Sequence, residues 1–282
     1  MPRVLPSLAA GLLAAACASF PAVDTSHPAA AQDSRIQFIV LHFTSTDFDE
    51  SLATLTQGNV SAHYLVRDDP VRIYQLVDDS RRAWHAGDSA WEGSTQLNAA
   101  SIGIEIVNRG DRGGVWEDYP AAQVDAVVAL VARLARKYDV PPHRVVGHSD
   151  IAPLRKVDPG PRFPWKRLAD AGLAEWPSAD LVAERRAAYE GALPDAEWFQ
   201  QRLACVGYGV PRSGEFDEAT RRVIAAFQMH FRPASFDGTP DAETAAIADT
   251  LAATRARGPD CLPDRSSGGL ASGAASGLGG RD

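Results

Sequence analysis

The segment that most constrains the fold is an almost continuous run of apolar residues that ends at a histidine. Residues 36–43 read IQFIVLHF, with His42 near the end of the run. A strand that is apolar on both of its faces is typical of the centre of a sheet that is covered on both sides. The run therefore predicts an α/β protein in which a central β-sheet is flanked by helices.

Further strands and one long helix follow this run. The segments HYLV and RIYQLV, separated by the turn-forming RDDP, predict a hairpin or an adjacent pair of strands. SIGIEIV alternates, with Ile102, Ile104 and Ile106 on one face and Glu105 on the other. Residues 120–140 carry apolar side chains at helical spacing before two prolines, which predicts an amphipathic helix on the sheet. RVVGH predicts a short strand, and the Pro- and Gly-rich segment SDIAPLRKVDPGPRFPW is expected to lack regular structure.

Length and composition indicate more than one globular unit. The chain has 282 residues, of which 45% are hydrophobic, and a typical domain has about 150 residues. Its C-terminal part has the pattern helix, loop, helix, loop, helix, with Asp217 and Asp241 placed as helix N-caps. The predicted segments are a lipoprotein-like signal peptide at 1–17, a flexible tether at 18–34, a first domain at 35–176, a helical linker at 177–195, a second domain at 196–254 and a disordered tail at 255–282.

The N-terminal residues predict export. MPRVLPSLAAGLLAAAC has a basic residue followed by a short apolar core, as in a secretory signal. The alanines before Cys17 resemble the small-residue box that precedes the lipidated cysteine of bacterial lipoproteins. This interpretation predicts an exported lipoprotein anchored through Cys17. The alternative is cleavage near residues 29–31, which would release a soluble periplasmic protein.

The net charge limits the partners that can be expected, and the cysteine content is interpreted in terms of the compartment. The formal net charge is −8, and no basic stripe of the kind that neutralises a phosphate backbone is present, so nucleic acid is not an expected partner. No protein partner can be inferred. Beyond Cys17 the chain has two cysteines, Cys205 and Cys261, which in an oxidising compartment either form one disulfide or remain as two free thiols.

Two histidines and an aspartate follow predicted strands in a way that suits a metal. A catalytic zinc takes about three nitrogen, sulfur or carboxylate ligands and keeps one position open for water. His42 ends the first strand, His148 ends the strand after the long helix, and Asp158 lies ten residues further along in the Pro-rich segment. The ten-residue separation of His148 and Asp158 is not the spacing of a local metal motif. The residues alone therefore make a metal site only one of several possible interpretations.

Several segments occur in the order and approximate spacing of a known family. They are VLHFTS, SAHYLV, WHAG, SIGIEIVN and VVGHSDIAP, the last followed by RKVDPGPRFPW. Over about residues 35–176 the chain resembles the type-2 N-acetylmuramoyl-L-alanine amidases, which are similar to phage lysozyme-like amidases and peptidoglycan recognition proteins. The segment that begins at WFQQRLACVGYG resembles the small peptidoglycan-binding domain that the lipoprotein amidases of Gram-negative outer membranes also carry. This resemblance implies an outer-membrane lipoprotein that faces the periplasm of a Gram-negative bacterium. The resemblance implies a mixed central β-sheet flanked by helices and a small three-helix C-terminal domain.

The resemblance also implies roles for individual residues. Family positions for one zinc ion per catalytic domain fall on His42, His148 and Asp158. Glu105 matches a family glutamate that acts as the catalytic base, whereas its position alone also fits a carboxylate that reaches solvent at a sheet edge. Lys156 matches a lysine that stabilises the oxyanion, and the alternative is an ordinary surface lysine.

Other residues of the matching segments are expected around the substrate. His63 and His85 match family positions and are expected to shape the cleft and hydrogen-bond nearby loops rather than bind metal. Trp84 and Asn98 are candidates for the groove that holds sugar and peptide, with core packing as the alternative for the tryptophan. His230 is expected to be a surface or incidental residue.

The implied activity is zinc-dependent hydrolysis of the amide bond between N-acetylmuramic acid and L-alanine. The substrate would be peptidoglycan or its anhydro-muropeptide fragments, in wall remodelling or recycling. One alternative is a protein that binds or recognises peptidoglycan without turnover. Another is a metallohydrolase that acts on a different amide.

Overall fold

The structure, a computed structural model, describes residues 23–255 and Cys261. Residues from Ser34 onward form one compact unit, whereas residues 23–33 belong to a separate N-terminal unit and contain no helix or strand. The predicted signal peptide with Cys17, and all of the predicted tail except Arg255 and Cys261, lie outside the described residues. Within the described part of the chain, no helix is both long and apolar enough to cross a bilayer.

The described unit is built from a single five-stranded sheet and helices on its two sides. The strands are β1 (Phe38–Phe43), β2 (Tyr64–Arg67), β3 (Arg72–Gln75), β4 (Ser101–Ile106) and β5 (Val145–Gly147). The α-helices are α1 (Phe48–Gln57), α2 (Leu97–Ala100), α3 (Ala121–Tyr138), α4 (His148–Ile151), α5 (Trp165–Asp170), α6 (Ala179–Gly191), α7 (Ala196–Val206), α8 (Glu218–Phe231) and α9 (Ala242–Thr254). A 3₁₀ turn at Pro142–Arg144 precedes β5.

The sheet is mixed, as predicted. The strand order is β3-β2-β4-β1-β5, with β1 paired in parallel with β4 on one side and β5 on the other. Strands β2 and β3 pair antiparallel, which confirms the predicted hairpin. The apolar run therefore forms an interior strand, in which both edges are hydrogen-bonded and both faces are covered.

The two faces of β1 pack against different parts of the chain. Ile39 and Leu41 lie in a core cluster with the isoleucines of β4 and the apolar stripe of α3, namely Val127, Leu130, Val131 and Leu134. Phe38 and Val40 lie in a second cluster that also contains Phe199 and Phe227 of α7 and α8. Because side chains alternate along a strand, His42 shares the face of Phe38 and Val40.

The C-terminal part contains the three predicted helices, α7 to α9. Asp217 and Asp241 cap α8 and α9, since their carboxylates accept hydrogen bonds from the backbone amides of Thr220 and Thr244. Cys205, on α7, forms a disulfide with Cys261, with the two α-carbons 5.6 Å apart. Of the two sequence alternatives for these cysteines, the structure contains the pair.

The Pro- and Gly-rich segment after β5 is more regular than predicted. Its first residues belong to the single helical turn α4, and its last residue, Trp165, begins α5. Hydrogen bonds of the Asp150 carboxylate stabilise the first turn. It accepts one from the Gly147 amide at 2.7 Å, three residues away, and two more from Tyr208 and His230 in the C-terminal part of the chain. The composition of the segment gives no indication of the distant contacts. The expectation that the segment lacks regular structure was wrong at both ends of the segment.

Candidate metal centre and active site

Strand register brings the two candidate histidine ligands together. Leu41 of β1 is paired with Gly147 of β5, so the residues that follow them, His42 and His148, lie side by side at the carboxyl ends of parallel strands. Asp158 reaches the same point because its backbone carbonyl accepts a hydrogen bond from the Ser149 amide at 2.7 Å. Residues far apart in sequence thus converge on one point.

The three ligand atoms form a compact triangle. His42 Nδ1 lies 2.9 Å from His148 Nδ1, and each nitrogen lies 3.0 Å from Asp158 Oδ2. All three residues are buried. Tetrahedral zinc with bonds of about 2.0–2.2 Å places its ligand atoms about 3.3–3.5 Å apart, so the triangle needs to open by only a few tenths of an ångström.

Hydrogen bonds on the far sides of the rings assign the tautomers. His148 Nε2 lies 3.2 Å from the Ala86 carbonyl, which can only accept, so the proton of His148 is on Nε2. His42 Nε2 lies 3.0 Å from His85 Nδ1. The Ser101 hydroxyl donates to the Leu97 carbonyl, so it accepts from His85 Nε2 at 3.1 Å and leaves His85 Nδ1 to accept from His42.

These assignments leave three lone pairs facing one another, and a cation fits between them. Both Nδ1 atoms are unprotonated in this arrangement, and Asp158 supplies a carboxylate oxygen. Burial and the neighbouring His148 lower the pKa of His42 to about 4, which keeps the ring neutral. Burial raises the pKa of Asp158, but its interactions with His148 and His42 outweigh this effect and hold that pKa below its ordinary value, so Asp158 is a carboxylate.

Glu105 lies beside the triangle because of the same register. It is paired with His42 across β1 and β4, so its side chain is on the face that carries the histidine. Its Oε2 is buried and has no hydrogen-bond partner among the described residues. Burial raises the pKa of Glu105 well above its ordinary value; the Asp158 charge raises it further and Lys156 opposes both.

A cavity of about 240 Å³ opens next to these groups. Glu105, His148, Lys156 and Asp158 are among the residues that line it, and Lys156 is half-buried there. Its outer wall is rich in hydroxyl groups, from Thr44, Ser45, Thr46, Ser51, Thr54 and Ser61. The triangle of possible metal ligands, the Glu105 carboxylate and the Lys156 ammonium group therefore lie around a single pocket.

The four residues predicted around the substrate divide into two pairs. Trp84 and His85 line the cavity, and Trp84 is 52% exposed with the Arg82 guanidinium 3.9 Å from the centre of its ring. His63 and Asn98 do not line it. The Asn98 carbonyl oxygen accepts from the His85 and Ala86 amides, and His63 Nδ1 accepts from the Gly103 amide.

Three further residues support the site and were not identified from the sequence. Ser101 orients His85, as described above. Tyr119 donates a hydrogen bond to the carbonyl of Pro159, the residue after Asp158, at 2.8 Å. Gly103 lies under the His85 ring, where a methyl group would be 2.4 Å from Cγ. A glycine within an otherwise apolar strand is a known signal of such close approach, and it was the one local clue available.

Comparison with known proteins assigns the family. Residues 32–161 match the family model described as N-acetylmuramoyl-L-alanine amidase, and residues 193–247 match the model described as putative peptidoglycan binding domain. N-acetylmuramoyl-L-alanine amidase AmiD of Escherichia coli is 44% identical over 263 residues, which cover 86% of this chain and 95% of that protein. The chain therefore belongs to the N-acetylmuramoyl-L-alanine amidase family.

Solved structures agree in fold. The E. coli AmiD structure has a TM-score of 0.76 at 45% identity and covers 82% of this chain and 94% of that chain. It was solved in complex with the substrate anhydro-N-acetylmuramic acid-L-Ala-D-gamma-Glu-L-Lys. AmpDh3 of Pseudomonas aeruginosa has a TM-score of 0.79 at 38% identity and covers 83% of this chain and 99% of that chain. These matches confirm the predicted type-2 amidase fold.

The contact between Gly103 and His85 leads to a prediction. Because an added methyl group would overlap the imidazole, Gly103→Ala should displace His85 and remove the acceptor that holds His42. We expect metal affinity to fall about 10-fold to 100-fold, the usual effect of losing an interaction that orients a ligand. Metal content after dialysis against a graded chelator series measures this.

The matched control is Gly191→Ala, at the end of α6, where an added methyl group meets nothing within 4 Å. It should bind metal as the parent chain does. A Gly103→Ala variant with unchanged metal affinity would contradict the role given to His85.

Proposed function

We propose that this amidase uses one zinc ion to hydrolyse the amide bond between N-acetylmuramic acid and L-alanine. The observation that carries the proposal is the buried triangle of two imidazole nitrogens and one carboxylate oxygen beside a cavity that Glu105 and Lys156 also line. Two histidines with one carboxylate are a ligand set typical of catalytic zinc. A bound zinc ion would supply Lewis acidity, which acidifies a water molecule and polarises the scissile carbonyl.

Glu105 is the proposed general base. A base has to be unprotonated when water attacks and then protonated to deliver the proton to the leaving amine. A carboxyl group whose pKa is raised by burial is suited to both steps. The free Oε2 atom has no competing hydrogen bond to break within the described part of the chain.

Lys156 is the proposed electrostatic partner of the substrate carbonyl. It lines the same cavity as His148 and Asp158, which supports a role for its ammonium group beside a substrate carbonyl bound there. A fixed cation there stabilises the oxyanion without reorganisation of solvent. The alternative of an ordinary surface lysine is disfavoured because the side chain is half-buried.

The substrate class follows from the relatives and from the cavity. AmiD of E. coli and AmpDh3 of P. aeruginosa have each been solved with an anhydromuramic peptide. The hydroxyl-rich wall and the exposed Trp84 offer hydrogen-bond partners and an aromatic face for a sugar bearing a peptide. We propose that His63 and Asn98 serve the substrate indirectly, by fixing the segment that carries Trp84 and His85.

The C-terminal helices are proposed to bind peptidoglycan and to raise its concentration near the active site. The family match over residues 193–247 supports this role. We further propose the domain boundaries that were predicted from the sequence. We also propose a lipid anchor at Cys17, on the periplasmic face of the outer membrane.

Digestion of purified sacculi and of soluble anhydro-muropeptides tests the reaction. Zinc-loaded protein should release free stem peptides that begin with L-alanine, identified by mass, together with peptide-free sugar. His148→Ala serves as the control without a complete ligand set. Intact sacculi that only bind the protein, or products cut within the cross-linking peptides, would contradict the proposal.

Replacement of the base separates turnover from metal binding. Glu105→Gln keeps the size of the side chain, so we expect stoichiometric zinc but a rate lower by about 10²-fold to 10⁴-fold, the usual contribution of general base catalysis. Glu190→Gln, an exposed position on α6, is the matched control and should keep the parent rate. Undiminished activity of Glu105→Gln would remove Glu105 from the mechanism.

The proposed anchor predicts the mature N-terminus. Mass spectrometry of protein isolated from membranes should find Cys17 as the first residue, carrying the mass of its acyl groups. Cys17→Ser should then be lost from the membrane fraction. An unmodified N-terminus near residues 29–31 would contradict lipidation and support the soluble periplasmic form.

A further inference from the structure

A buried carboxylate links the metal centre to the C-terminal helices. Asp150 lies two residues after His148 and is 0% exposed. Its Oδ2 accepts hydrogen bonds from the Gly147 amide and from His230 Nδ1, both at 2.7 Å, and its Oδ1 accepts from the Tyr208 hydroxyl at 2.6 Å. Two of these three donors come from the C-terminal part of the chain.

Both C-terminal donors are held firmly in place. The His230 ring stacks on Trp165 with 3.8 Å between ring centres, and its Nε2 has no hydrogen-bond partner among the described residues. Tyr208 packs edge-on against Trp91 at 4.9 Å. The expectation that His230 lies at the surface was wrong, since the residue is only 5% exposed.

The Asp150 contacts fix the backbone turn that presents the ligands. Gly147 is the residue immediately before His148, and its amide is held by Asp150. In the same turn, the Ser149 amide donates to the carbonyl of Asp158. A shift of this turn would move two of the three ligand atoms at once.

We propose that Tyr208 and His230 are positioning residues for the metal centre, acting through Asp150. The C-terminal helices then have a second role besides binding the wall: they complete the packing that sets the ligand geometry. A buried carboxylate that loses a donor is strongly destabilised, so the turn has to relax when either residue is changed. This inference rests on the proposed metal role of His148 and Asp158.

Paired substitutions separate the hydrogen bonds from the aromatic packing. Tyr208→Phe removes the hydroxyl and keeps the ring. His230→Phe keeps a flat ring against Trp165 and removes the Nδ1 donor, whereas His230→Asn restores an N–H donor near that position and removes the stack. The control is Tyr189→Phe, which also removes a tyrosine hydrogen bond to a buried carboxylate, that of Asp249, on α6 and α9 away from the site.

The dissociation constant for Zn²⁺ is the measurement, taken on the full chain by competition with a chromophoric chelator. We expect Tyr208→Phe and His230→Phe to bind zinc about tenfold more weakly, at the lower end of the range for groups that orient ligands, because they act through one intermediate residue. His230→Asn and Tyr189→Phe should stay within about twofold of the parent chain, and excess zinc should restore the hydrolysis rate of the two Phe variants.

The outcomes distinguish this inference from the proposed function. A parent chain that binds no zinc would overturn both. A parent chain that binds zinc, with both Phe variants matching Tyr189→Phe, would overturn the positioning role alone. If Tyr208→Phe or His230→Phe does not fold, the Zn²⁺ affinity of the other variant tests the positioning role. A Zn²⁺ affinity that is lost in His230→Asn but kept in His230→Phe would assign the effect to stacking and overturn the proposal.

Discussion

The parallel pairing of β1 with both β4 and β5 determines where the reactive side chains lie. On one side the register sets His42 beside Glu105, and on the other it sets Leu41 beside Gly147, so that His148 follows at the same edge. The covering of β1 on both faces keeps the strand in the interior of the sheet, and a slip of one residue would turn His42 away from Glu105 to the opposite face. The geometry of the candidate metal site and the proposed proton transfer therefore depend on the same hydrogen bonds that hold the sheet.

The architecture was largely predictable because its signals are local. The apolar run of β1, the alternation in β4 and the helical spacing of α3 each indicate the type of element and its buried face within a short stretch of sequence. The carboxylates of Asp217 and Asp241 cap their helices through residues only three positions away. The turn α4 was missed because the carboxylate that caps it, Asp150, is held by Tyr208 and His230, which lie far along the chain.

The candidate site was predictable only through family resemblance. His42 and His148 are 106 positions apart and meet through strand register, which no local pattern encodes. Ser101 and Tyr119 contact residues that are distant in the sequence, His85 and Pro159, so nothing in their immediate sequence distinguishes them. His230 was misplaced because its burial depends on the packing of α8 against α4, a contact between distant parts of the chain.

The most direct test of the account is anomalous diffraction from crystals of the zinc-loaded chain, collected at the zinc absorption edge. The hydrogen bonds to Ala86 and His85 predict one zinc peak, bound by the Nδ1 atoms of His42 and His148 and by an Asp158 oxygen, with bonds of about 2.0–2.2 Å. Coordination through either Nε2 atom, or a zinc peak away from this triangle, would contradict it.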